Sequence, residues 1–84
     1  MSKSIYSAQS QKLADLLREV REKAGLNQEE AGRAFGKHQP TVARWESGER
    51  QIDVVELLKL AEILGFKDSE MVAELEAEAK GGSA

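Results

Sequence analysis

The stretch NQEEAGRAFGKHQPTVARWESG, Asn27 to Gly48, decides how this chain folds. Asn27 is a good N-cap, because its side-chain oxygen can accept a backbone N–H in the first turn of a helix. Glu30, three residues on, can reach back to the cap's own N–H and complete a capping box. Ala31, Ala34 and Phe35 then supply the apolar face of one short helix. Gly36 follows, and glycine tolerates the left-handed backbone that ends a helix in a tight turn. Pro40 suits the first turn of a second helix, where a missing N–H removes nothing that was bonded. Proline also disfavours the α region for the residue before it, so this helix is expected to start at Pro40 rather than at Gln39. Val42 and Trp45 are three apart and point inward together, which makes Trp45 a core residue. Pro40, Ala43, Arg44 and Ser47 point away. Gly48 closes the helix.

Working outward, helix 1 is expected from near Ser10 to Ala24. Leu13, Leu16, Leu17, Val20 and Ala24 form its amphipathic stripe, and Gly25 stops it. Residues 1–9 are expected to be a flexible N-terminal arm. Helix 4 starts at an Asp53 cap, with Glu56 completing a second capping box and Ile52 stapled to Leu57. Val54, Leu57, Leu58, Leu60, Ala61 and Leu64 fall within about 160° of its wheel and are expected to seal the core. Val55 and Ile63 fall outside that arc, which suggests cover by another element or subunit. Helix 5 is expected to follow an Asp68 cap over about 69–80, with Met71, Val72 and Leu75 as its stripe and Glu70, Glu74, Glu76 and Glu78 in water. Residues 81–84, Gly-Gly-Ser-Ala, read as a flexible tail. The organisation is therefore one all-α, five-helix domain over 10–80.

Composition sets the outer limits. Eighty-four residues allow one domain, which buries about 60–65% of its unfolded surface. Absence of cysteine excludes disulfides and a thiolate metal site and is compatible with a reducing cytoplasm. No apolar run approaches a membrane span, and the first residues lack the apolar segment of a signal peptide, so a soluble cytoplasmic protein with no membrane partner is expected. One histidine and no glycine-rich phosphate cradle leave no catalytic constellation, so the chain reads as a non-enzyme without cofactor or metal. The net charge of −3 is unevenly spread. Residues 1–50 carry nine Lys/Arg against seven Asp/Glu, a balance of +2; residues 51–84 carry three against eight, a balance of −5. The local field over a contact face steers binding, not the whole-chain sum.

Two short helices joined by a glycine turn, the second polar on its outer face, make a helix-turn-helix, whose second helix enters the DNA major groove. The chain resembles the phage Cro/repressor-type helix-turn-helix family, also called XRE, over Leu13 to Phe66. The resemblance rests on Gly25-Leu26-Asn27-Gln28-Glu29-Glu30, on Phe35-Gly36, and on Gln39-Pro40-Thr41-Val42-Ala43-Arg44-Trp45-Glu46-Ser47-Gly48-Glu49-Arg50. The family usually carries leucine and alanine where this chain has Ala31 and Gly32. Gly32 lets two helices approach closely, at a cost to its own helix of up to about 1 kcal/mol relative to alanine.

Site expectations follow. Gln39 leads the second helix, where a glutamine can bond adenine N6 and N7 in bidentate fashion; the resemblance implies base reading at this position. Arg44, one turn after Pro40, can read guanine O6/N7 or grip a phosphate. Pro40 and Ala43 offer apolar contact to a thymine methyl. His38 and Thr41 flank the helix start, where free N–H groups suit phosphate. The resemblance further implies phosphate contacts at Gln28, Ser47 and Arg50, with Asn27 assisting, and an ion pair between Arg21 and Glu46 beneath the second helix. Glu49 and neutral Gln51 leave the following loop poorer in positive charge than in many relatives.

The expected function is sequence-specific binding of double-stranded DNA as a transcriptional regulator, a homodimeric repressor whose half-sites lie about 34–36 Å apart. Val55, Ile63, Phe66, Met71, Val72 and Leu75 are candidates for the dimer interface, unless helix 5 folds back over them within one chain. The alternatives are an antitoxin that binds its own promoter and a toxin, or a protein-interaction module that has lost DNA binding.

Overall fold

Side chains that bond back onto the chain fix where the helices begin. In the computed structural model, which describes residues 5–82, five helices follow one another: α1 (Ile5–Lys23), α2 (Gln28–Phe35), α3 (Gln39–Ser47), α4 (Val54–Leu64) and α5 (Asp68–Gly82). No strand occurs among the described residues, so the fold is all-α as expected. Both capping boxes are formed. Glu30 N–H donates to Asn27 Oδ1 at 2.8 Å while Asn27 N–H donates to Glu30 Oε1 at 2.9 Å. At α4, Glu56 N–H donates to Asp53 Oδ1 at 2.7 Å and Asp53 N–H to Glu56 Oε1 at 3.0 Å. Each box satisfies two backbone donors that a helix start otherwise leaves unpaired.

The α2–α3 turn depends on two glycines for different reasons. Gly36 has φ +80°, a left-handed conformation that side chains with a Cβ rarely adopt, and its N–H donates to Arg33 C=O at 3.1 Å. Gly32 is needed for space. A Cβ there would lie 3.0 Å from the His38 carbonyl carbon, 3.1 Å from its oxygen and 3.2 Å from Gln39 N. The missing side chain lets the start of α3 rest directly on α2.

Several helix boundaries differ from the sequence expectation. α1 reaches back to Ile5 through most of the expected arm, because α5 packs along it. Gln9 Nε2 donates to Leu75 C=O at 3.0 Å, and Lys12 Nζ lies 3.6 Å from Glu74 Oε1. Residues 1–4 lie outside the described residues. α3 starts at Gln39, not Pro40. His38 takes the cap position, and Thr41 N–H closes a tight first turn onto His38 C=O at 3.0 Å, so proline's bias on Gln39 yields to the turn around it. Asp68 lies inside α5, since Met71 N–H already bonds Lys67 C=O at 3.3 Å; its carboxylate suits the positive end of the helix dipole. α5 also carries through Gly81 and Gly82, two residues of the expected tail, as propagating an existing helix is far easier than starting one. Residues 83–84 lie outside the described residues.

The core joins four helices and one loop residue. Leu16 and Leu17 of α1, Val42 and Trp45 of α3, Ile52 of the loop before α4, Leu57 and Leu60 of α4, and Met71 of α5 form one buried cluster. Phe35 meets Trp45 edge-to-face with ring centroids 5.2 Å apart at 85°, a favoured aromatic geometry. Ala24 and Ala34, expected inside, are exposed; the first lies past the end of α1 and the second on the outer side of a two-turn helix. Val54 and Leu58, also expected inside, are 71% and 50% exposed, because only the Leu57, Leu60 and Ala61 side of α4 meets the other helices. The dimer candidates divide. Met71 is buried, and Phe66 and Leu75 pack against the core within the chain, so these three do not form an outer surface. Val55, Ile63 and Val72 are exposed. No helix among the described residues is long and apolar enough to cross a membrane.

Candidate nucleic-acid interface

Four polar side chains from three successive helices form one connected path to the start of α3. Glu46, on the inner face of α3, is 3% exposed. Arg21 of α1 reaches it with two bonds, Nε to Oε2 at 2.6 Å and Nη2 to Oε1 at 2.9 Å. The same guanidinium donates from Nη1 to Leu26 C=O at 2.8 Å, tying the α1–α2 turn to the pair. Gln28, the first residue of α2, donates from Nε2 to Glu46 Oε1 at 3.0 Å. Gln39, the first residue of α3, donates in turn to Gln28 Oε1 at 2.8 Å.

A buried carboxylate is costly unless its charge and lone pairs are met, and here both oxygens accept bonds from a bidentate guanidinium and an amide. The bond to Glu46 raises the Arg21 pKa above the ordinary arginine value, with burial opposing and the Glu46 charge assisting. A folded pKa raised above the unfolded one adds stability that is fully present below the ordinary arginine pKa and fades only as pH rises through the folded one. Across ordinary pH the pair is a fixed strut. Arg18, about half exposed, adds a second cation 3.9 Å from Glu46 Oε1.

Exposed at the far end of this path, Gln39 has one amide N–H engaged by Gln28. A second N–H and the carbonyl oxygen remain, the donor–acceptor pair that adenine N7 and N6 require. Arg44 and Pro40 are also exposed, and Ala43 is half-buried. The Arg44 guanidinium makes no hydrogen bond or ion pair among the described residues. Exposed His38 leaves its side chain out of the helix cap, while half-buried Thr41 bonds through its backbone.

The expected backbone contacts are not all equally placed. Asn27 commits its oxygen to the capping box but keeps its amide N–H groups. Ser47 Oγ donates to Arg44 C=O at 3.2 Å and accepts from Glu49 N–H at 3.3 Å, so its hydroxyl serves the end of α3. Arg50 Nη2 lies 3.5 Å from Glu56 Oε2, which offsets its charge. Arg33 pairs with Glu29 at 3.6 Å beside the turn, where exposed Lys37 adds positive charge next to His38. Sequence reasoning brought Arg21 to Glu46 but missed that Gln28 joins Glu46 to Gln39. The available signal was positional: each glutamine opens one of two successive helices.

No curated protein matches the chain in sequence. A family model described as Helix-turn-helix matches residues 17–71, from the middle of α1 into the first turn of α5, well over half of the chain. With α2, α3 and the buried network beneath them inside that match, the chain belongs to the Cro/C1-type helix-turn-helix family of DNA-binding regulators.

Proposed function

We propose that the protein is a sequence-specific, homodimeric transcriptional repressor acting on double-stranded DNA in the cytoplasm. α3 enters the major groove, where Gln39 and Arg44 read base edges and Pro40 and Ala43 lie against thymine methyls. Asn27, His38 and Thr41 face the phosphates on either side of the helix start; Gln28, Ser47 and Arg50 are weaker contributors because each already has a partner within the chain. The observation that supports this reading best is the exposed Gln39 amide, oriented by Gln28 and through it by buried Glu46. Such a support limits the rotamers open to Gln39, which lowers the entropy lost on binding a base. Repression would follow from occlusion of the promoter by the bound protein.

The test is selection of bound duplexes from random DNA at physiological salt. An inverted repeat with half-sites one helical turn apart is the expected result, and Gln39→Ala should relax preference at one base pair per half-site at a cost of about 1–3 kcal/mol. No enrichment by folded protein overturns the reading. A partner protein in place of DNA or of a second copy, as in an antitoxin, is the second reading; the exposed apolar residues of α4 favour it.

A further inference from the structure

Three arginines around the candidate interface already have partners. Arg21 is held in the buried pair with Glu46, Arg50 stands against Glu56, and Arg33 against Glu29. Arg18 differs from them. Its side chain is 54% exposed, and its one ion-pair contact among the described residues runs from Nε to Glu46 Oε1 at 3.9 Å, too long for a hydrogen bond. Glu46 does not need it, because the carboxylate already accepts two bonds from Arg21 and one from Gln28. Two guanidinium groups therefore face one carboxylate, and the surplus positive charge sits on the exposed one. Neighbouring carboxylates of α1 do not take it up. Asp15 accepts from Gln11 Nε2 at 3.1 Å, and Glu22 makes no ion pair among the described residues. A half-exposed pair of this length adds little stability, so the guanidinium can turn elsewhere at little cost.

The place of this charge gives it a use. Arg18 lies one turn before Arg21 on the same edge of α1. Through Glu46 Oε1 it stands beside the Gln28 amide at the start of α2, and Gln28 in turn holds Gln39 at the start of α3. Two turns back along that edge, Gln11 lies next to Gly48, where a Cβ would meet Gln11 Oε1 at 3.9 Å. The edge of α1 thus runs alongside α3. A DNA strand whose bases meet Gln39 carries its phosphates past the start of α2, where the Gln28 and Glu29 N–H groups have no acceptor among the described residues. We infer that Arg18 binds a backbone phosphate of DNA at the start of α2, leaving Glu46 to do so; the inference rests on the DNA-binding reading above. A planar guanidinium can hold a phosphate with two bonds, and it displaces counterions without reading sequence. Arg21 stays with Glu46 and keeps α3 in place while its exposed neighbour turns to the backbone.

The test is a salt series on a duplex carrying one half-site of the selected sequence, so that contact between copies plays no part. Arg18→Gln should weaken binding about tenfold at about 50 mM salt and about threefold at about 200 mM, because one phosphate contact changes the slope of log K against log salt by about 0.9. The loss should be alike on a mismatched duplex, since no base is read. Arg18→Lys should restore the slope, and Lys59→Gln, exposed on α4, should leave it unchanged. Thermal midpoints of all three variants should match the parent. Contact itself is read by replacing single phosphates with neutral methylphosphonates. At one position the parent should lose affinity while Arg18→Gln loses none. A lower midpoint with an unchanged salt slope gives Arg18 to Glu46 and overturns the proposal, as do equal losses by parent and variant at every methylphosphonate. A parent chain that binds no duplex removes the DNA reading and this contact with it. A parent that binds, with an Arg18→Gln variant of the same slope, removes the contact alone.

Discussion

The α2–α3 unit and α4 are made from the same local parts yet break the usual inside–outside rule in opposite directions. Each of α2 and α4 starts at a capping box, and each ends at a glycine with φ +80°. Beneath α3, however, a charged residue is buried, Glu46 with its Arg21 and Gln28 partners. On the outside of α4, apolar residues are exposed, Val54 and Val55 above all. A buried polar group and an exposed apolar patch are the two observations that carry information beyond packing. The first is satisfied wholly within the chain and fixes how three helices meet. The second is covered by nothing among the described residues and points outward.

Removing one partner from the buried network should do the most damage. Glu46→Ala leaves the Arg21 guanidinium, with a side chain only 12% exposed, facing an empty site. The expected loss is about 3–5 kcal/mol in urea unfolding. A loss under 1 kcal/mol would mean that solvent reaches the pair, and the contrast between the two halves would weaken. Gly32→Ala comes next. Alanine gains up to about 1 kcal/mol of helix propensity, but its Cβ meets backbone that cannot rotate away. Overpacking of this kind costs about 1–3 kcal/mol, so a net loss of roughly 1–2 kcal/mol is expected. The same shift moves the start of α3, so single half-site affinity should fall along with the thermal midpoint. A stabilised variant would show that α2 and α3 can part without harm.

These two sites mark how far the sequence could be read. Caps and turn glycines were legible because each is a local contract between residues three or four apart: Asn27 with Glu30, Asp53 with Glu56, Gly36 with Arg33. The buried face of α3 was legible from the spacing of Val42 and Trp45 alone. The wheel of α4 misled, since hydrophobicity says which residues avoid water but not which side meets the other helices. Val54 and Leu58 lie on the apolar arc, yet no element among the described residues covers them. Likewise the start of α1 depends on α5, more than sixty residues away, through the Gln9–Leu75 bond. In the candidate interface, the Gln28–Gln39 bond spans two helices whose relative placement depends on a missing side chain at Gly32. No local pattern encodes such a distance.

The two capping boxes allow a direct comparison of the halves. Asn27→Ala and Asp53→Ala each remove one side-chain acceptor, and each should cost about 1 kcal/mol. The Asn27 change should also lower affinity for a single half-site, since α2 positions Gln28 beneath Gln39, whereas the Asp53 change should leave that affinity within twofold. Equal effects on affinity would mean that α2 and α4 contribute alike to the interface.

The smallest expected effect is the most diagnostic for α4. Val54→Ala removes two methyl groups from a side chain that is 71% exposed, at the first position of the helix. Alanine is the better helix former by up to about 0.7 kcal/mol, and little packing is lost. A thermal midpoint measured at low micromolar concentration should therefore hold or rise, within about 0.5 kcal/mol. A buried valine cut back in this way would lose two methyl groups of packing and leave a cavity. A clear fall in the midpoint at that dilution would show that something within the chain covers Val54, and the outward face of α4 would cease to be a surface at all.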